Sequence, residues 1–107
     1  MISTHILDIS TGSPADGVRV LLEKKSHETW VTLEDEKTNS DGRIVFHCPY
    51  EKGIYRLTFG VESYLLRQNK EPFFLDTPIT FEVRDTGRKY HVPLLLSPYG
   101  MSTYRGS

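Results

Sequence analysis

The chain ends on Tyr104-Arg105-Gly106-Ser107, which sets a phenol, a guanidinium, a hydroxyl and the terminal carboxylate within four residues. Docked against a fold, those groups suit a small, planar molecule with several hydrogen-bonding edges. Four histidines, His5, His27, His47 and His91, are the other candidates for proton chemistry. None belongs to an H-x-H or H-E-x-x-H pattern, and no Cys-x-x-Cys accompanies them. His47 and Cys48 would point to opposite faces of a strand, so a metal site is disfavoured. Neither a glycine-rich phosphate loop nor a G-x-S-x-G elbow is present. Taken singly, the remaining residues look ordinary. His5 is a half-buried strand histidine, Arg43 a solvated arginine after Asp41-Gly42, and His91 a strand histidine between Tyr90 and Val92. Cys48, the only cysteine, reads as a small buried thiol with no disulfide partner.

Short β segments separated by turn chemistry must position these residues. Residues 2–8 form the first, with His5 sharing a face with Ser3 and Leu7, and the breaker cluster STGSPADG follows. Residues 18–25 and 29–36 are joined tightly through Ser26-His27-Glu28. Residues 43–48 leave the turn Asn39-Ser40-Asp41-Gly42, where the glycine suits a positive φ. Along 53–61, Ile54, Arg56 and Thr58 face one side and Tyr55, Leu57 and Phe59 the other. Residues 62–69 lack a β-branched side chain and are expected to form a short helix. Residues 79–85 and 89–97 are two more strands about a Thr86-Gly87-Arg88 turn. Pro93 cannot donate to a ladder, so its strand needs an edge, a bulge or an irregularity there. Residues 101–105 make a last short strand. Seven or eight strands and one helix predict an all-β sandwich, a single domain over residues 1–107.

Composition narrows the function. Apolar residues at 37% and charged residues at 25% fit a globular protein. Thirteen Lys and Arg against fourteen Asp and Glu give a net charge of −1, with no basic excess to hold nucleic acid. No apolar stretch reaches the length of a membrane span, and the first residues lack a charged and an apolar leader region, so a cytoplasmic chain is expected.

Three motifs, STHILD near the start, SDGR in the middle and YHVPLLLSPYGMSTYRGS at the end, resemble the 5-hydroxyisourate hydrolases, a transthyretin-like family of purine catabolism. The resemblance spans nearly the whole chain, and the terminal YRGS is its most specific part. It implies a transthyretin-like β-sandwich of seven to eight strands with one helix. It further implies an active site in which His5, Arg43 and His91 match the family's histidine, arginine and second histidine. Tyr104 matches the substrate-contacting tyrosine and Ser107 the terminal serine. Homotetramers assembled as dimers of dimers, with sites in a channel where dimers meet, are implied as well, with no cofactor and no metal. Lys89 stands where many relatives carry histidine, Met101 where many carry tyrosine, and Leu75 where many carry proline; none of these touches the matched positions.

The implied reaction adds water to a ring amide of 5-hydroxyisourate, giving 2-oxo-4-hydroxy-4-carboxy-5-ureidoimidazoline. It needs a base for the water, charge stabilisation for the oxyanion and a proton for the departing nitrogen. His5 and His91 fit the proton roles, while Arg43, always protonated, fits clamping and charge stabilisation. Ser107 is expected to orient a histidine. The alternative is a transthyretin-type carrier of a small aromatic ligand, which would need an apolar channel and no reactive pair. A non-catalytic β-sandwich module of a larger adhesin or receptor fits less well, since neither a linker nor a partner domain is present. The two histidines, Arg43 and the YRGS tail favour the hydrolase.

Overall fold

Alternation along the first strand, β1 (Ile2–Asp8), decides how it sits: Ile2, Thr4, Ile6 and Asp8 are buried, while Ser3, His5 and Leu7 are only half-buried on the other face. The computed structural model describes residues 1–107. After β1 come β2 (Ser13–Pro14), β3 (Arg19–Ser26), β4 (Thr29–Lys37), β5 (Arg43–Val45) and β6 (Gly53–Phe59). Helix α1 (Val61–Arg67) precedes β7 (Thr77–Val83), β8 (Tyr90–Leu96) and β9 (Met101–Thr103). One sheet runs β4-β3-β6-β7, wholly antiparallel. The other runs β2-β1-β8-β9, with β5 sharing the outer edge of β1 with β2. At its centre β1 and β8 pair in parallel from Ile2↔Tyr90 to Asp8↔Leu96.

The apolar faces of both sheets close one core. Tyr55, Leu57 and Phe59 of β6 meet Val92, Leu94 and Leu96 of β8 within a cluster of 19 buried residues. Each fully buried aliphatic side chain contributes about 1.5–3 kcal/mol relative to exposure. Helix α1 adds Val61, Tyr64 and Leu65, at the i, i+3, i+4 spacing of one helical face. It ends in a Schellman turn: Asn69 adopts φ 57° and Lys70 N–H donates to Leu65 O at 2.9 Å. Tyr64 also anchors the helix to β1 by donating its hydroxyl to Asp8 Oδ2 at 2.8 Å. No helix is long and apolar enough to cross a membrane.

The all-β sandwich and the short helix agree with the sequence-based expectation, and the strand limits differ for local reasons. The segment expected over 43–48 ends as a strand at Val45; Phe46 keeps the alternation by pointing into the core and still donates its N–H to Ile2 O at 3.0 Å, and Pro49, which carries no N–H, follows soon after. β7 starts at Thr77 rather than Ile79; it is an edge strand, where Pro78 leaves no partner unsatisfied. β2 is a two-residue pairing inside the cluster read as turn.

Candidate active site

Two registers bring the chemistry-bearing residues to the outer face of the β1–β8 sheet. The antiparallel register with β5 sets Arg43 opposite His5, and the parallel register with β8 sets His91 opposite Ser3. Neighbouring strands lie about 4.8 Å apart, so three adjacent strands present these side chains as one group. A tight turn aims the arginine. Gly42 takes φ 73°, and a β-carbon there would lie 2.6 Å from Ile6 O, so only glycine lets the turn press against β1. Asn39 Oδ1 accepts the N–H groups of Asp41 (2.9 Å) and Arg43 (3.0 Å), which fixes where β5 begins.

His91 is fixed from β1. Its Nδ1 lies 2.8 Å from Ser3 Oγ, while beneath it the buried Thr4 donates its hydroxyl to Val92 O at 2.6 Å. Ser3, Arg43, Lys89, His91 and Ser107 line a cleft of about 250 Å³, with His5 next to Arg43 along the face. Arg43 takes part in none of the chain's four ion pairs, so its guanidinium is free to meet an anion. Burial lowers the His91 imidazole below its ordinary range, with Arg43 and then His5 adding to the effect. Burial also lowers His5, with Arg43 next, partly offset by the Asp41 backbone and carboxylate. Both rings are thereby biased towards the neutral form that accepts a proton. Arg43 acts electrostatically on each of them, and His5 acts on His91.

The tail reaches the cleft across an interrupted ladder. β9 pairs with β8 as Leu96↔Met101, Leu95↔Ser102 and Leu94↔Thr103, and the isolated bridge His91↔Gly106 continues the same register. The gap falls at Pro93, which has no N–H, and Pro93 O accepts the Thr103 hydroxyl at 2.8 Å. Thus Pro93 sits in an interior strand, and the irregularity it requires is this gap. Beyond it Gly106 N–H donates to His91 O at 2.8 Å. Arg105 stacks its guanidinium on the Tyr90 ring, 4.5 Å from the centroid.

The model of the HIUase/Transthyretin family matches residues 2–106. The chain belongs to this family. A 5-hydroxyisourate hydrolase from Salmonella typhimurium is 44% identical over 110 residues, an alignment covering 100% of this chain and 81% of that protein. Among solved structures, the Klebsiella pneumoniae 5-hydroxyisourate hydrolase superposes with a TM-score of 0.87 at 42% identity, covering 99% of this chain and 98% of that one. Sea bream transthyretin in complex with thyroxine superposes with a TM-score of 0.92 at 26% identity, covering 98% and 93%. The HIUase/transthyretin fold accounts for the paired sheets and the helix after β6.

Of the residues singled out from sequence, the structure lines one cleft with Arg43, His91 and Ser107, puts His5 beside Arg43 on the same face but outside the lining, and sets Tyr104 apart. Tyr104 is exposed and borders a separate, mainly apolar cleft of about 130 Å³ with Ile79, Phe81 and Arg105. The hydroxyl bonded to His91 is that of Ser3, whereas Ser107 lines the cleft. Sequence reading gave Ser3 no role; its one signal was sharing a strand face with His5. Gly106 likewise gives no sequence signal of its role as a spacer, although a β-carbon there would lie 2.5 Å from His91 Cδ2. Cys48 is half-buried, and burial followed by Glu34 raises its thiol, in keeping with an inert side chain.

Proposed function

We propose that this chain hydrolyses 5-hydroxyisourate in urate degradation, and that His5, Arg43 and His91 carry the reaction. The observation behind this reading is the convergence of two histidines lowered below their usual range and an unpaired arginine on one cleft-bearing face. One histidine takes a proton from water as its oxygen attacks the ring carbonyl. Arg43 holds the developing oxyanion, and the proton passes to the ring nitrogen as the C–N bond breaks. Ser107 orients the reacting groups from the cleft wall.

We further propose a homotetramer, a dimer of dimers, in which the exposed Tyr104 of one copy contacts substrate held by another. Two features support it: β7 and β9 are free sheet edges, and Tyr104 lies outside its own chain's cleft.

The test generates 5-hydroxyisourate from urate with urate oxidase and follows its ultraviolet decay. A general base is typically worth about 10²–10⁴-fold, so His5→Ala and His91→Ala should lose activity on that scale. A chain lacking residues 104–107 should be inactive too. Decay no faster than the spontaneous rate with the intact protein would sink the hydrolase reading and turn attention to ligand carriage.

A further inference from the structure

The His91 ring is confined on two sides. Its Nδ1 meets Ser3 Oγ at 2.8 Å, and its Cδ2 faces Gly106 so closely that a β-carbon there would lie 2.5 Å away. Of the two ring nitrogens, Nε2 alone has no hydrogen-bonding partner in the protein. Ser3 is well placed to hold this geometry. It is half-buried on β1, directly opposite His91 in the parallel ladder, and its other cross-strand neighbour, Val45, offers no competing polar side chain. The segment around Ser3 is itself pinned to β8 by the buried bond from the Thr4 hydroxyl to Val92 O. With Nε2 taking up the proton, Nδ1 carries a hydrogen both before and after, and the Ser3 hydroxyl oxygen can accept it in either state, so a single contact serves the ring throughout.

We propose that Ser3 is a positioning residue for the hydrolysis: it engages Nδ1 of His91, holds the ring in one tautomer and leaves Nε2 as the nitrogen that exchanges protons with water or substrate. The inference rests on His91 acting in the reaction, as proposed above. It separates the work on the two edges of the imidazole, structural on Nδ1 and chemical on Nε2. It also places the orienting group on the first strand, 88 residues away in sequence.

The decisive experiment combines ring-¹⁵N histidine spectra with steady-state kinetics on the intact protein and on Ser3→Ala, Ser3→Thr and His91→Ala. In the unmodified protein His91 should show one dominant tautomer with a hydrogen-bonded Nδ1. Ser3→Ala should average the tautomers, shift the acidic limb of the pH–kcat profile and lower kcat a few-fold to about tenfold, the scale of one hydrogen bond, with KM within about twofold. Ser3→Thr keeps the hydroxyl and should restore both spectrum and rate. A ring that already averages its tautomers in the unmodified protein would overturn the proposal. So would Ser3→Ala with unchanged kcat and pH profile. Should Ser3→Ala fail to fold, the spectrum of the unmodified protein and the Ser3→Thr kinetics decide. Full activity in His91→Ala marks a different failure, that of the role given to His91 itself.

Discussion

Gly106→Ala adds one methyl group at the point where the tail meets His91. The new carbon would stand 2.5 Å from Cδ2, whereas ordinary contacts begin near 3.4 Å, so about 0.9 Å of separation has to be found. If the ring yields, its Nδ1 leaves Ser3 by a similar distance, stretching a 2.8 Å bond past hydrogen-bonding range. Turning the ring off its rotamer costs a further ~0.5–1.5 kcal/mol. If the tail yields, the Gly106 N–H to His91 O bond of 2.8 Å opens and Ser107 is drawn from the cleft wall. Either relaxation displaces a group of the site by close to 1 Å, a misplacement that can cost about 10²-fold in rate. The expected result is a kcat lowered roughly 10- to 100-fold, with thermal stability little changed because both residues lie outside the core. Ultraviolet decay of enzymatically generated 5-hydroxyisourate measures the rate, and scanning calorimetry the stability. A variant with wild-type kcat would refute the reasoning, since it would mean that the packing of the tail on His91 has no bearing on catalysis.

Three further outcomes follow from the electrostatics and the buried polar network. Burial and then Arg43 lower both His5 and His91, so Arg43→Met should raise both titration midpoints in proton NMR; immobile midpoints would place Arg43 electrostatically remote from the rings. Unfolded histidines hold their protons up to a higher pH, near 6.5, so the folded pair stabilises the chain above that value and the contribution is lost as pH falls through the folded midpoints. Denaturation midpoints should therefore fall between about pH 7 and pH 5, and a double His5→Ala, His91→Ala variant should lose much of that slope. Tyr64→Phe removes a donor from Asp8, which is 2% exposed, and should cost about 1–3 kcal/mol in chemical denaturation. A cost below about 0.5 kcal/mol would show that Ser10 alone satisfies that carboxylate.

The strands were legible because alternation is a local signal. Phe59, Leu57 and Tyr55 announce their shared face without reference to any other segment, and Gly42 announces its turn. Pairing is not local. Nothing in STHILD or YHVPLLL states that the two lie parallel, and that register alone sets Ser3 on His91. A serine in a strand carries no mark of its partner, so the contact was invisible although the histidine was not. Tyr104 illustrates the converse. Its motif was conspicuous, but the interruption at Pro93 governs how the tail lies on β8, and a motif carries no information about that path.

The central parallel pair also dictates an order of events during synthesis. β1 precedes every other strand of this fold, yet its partner β8 begins at Tyr90, so β1 waits for six intervening strands and the helix before its inner edge is covered. The β3–β4–β6–β7 sheet, built from neighbours in sequence or nearly so, can form meanwhile at a small loop-closure cost. Until β8 emerges, ISTHILD is an apolar, β-prone segment with an open edge, the kind of template on which nascent chains associate. Closure of that pair sets Ser3 against His91, and β9 and the tail can then dock on β8. If the proposed hydrolysis holds, recovered activity after refolding should lag the β3–β4–β6–β7 sheet, and a phase independent of protein concentration would time the docking of β1 on β8 apart from subunit assembly.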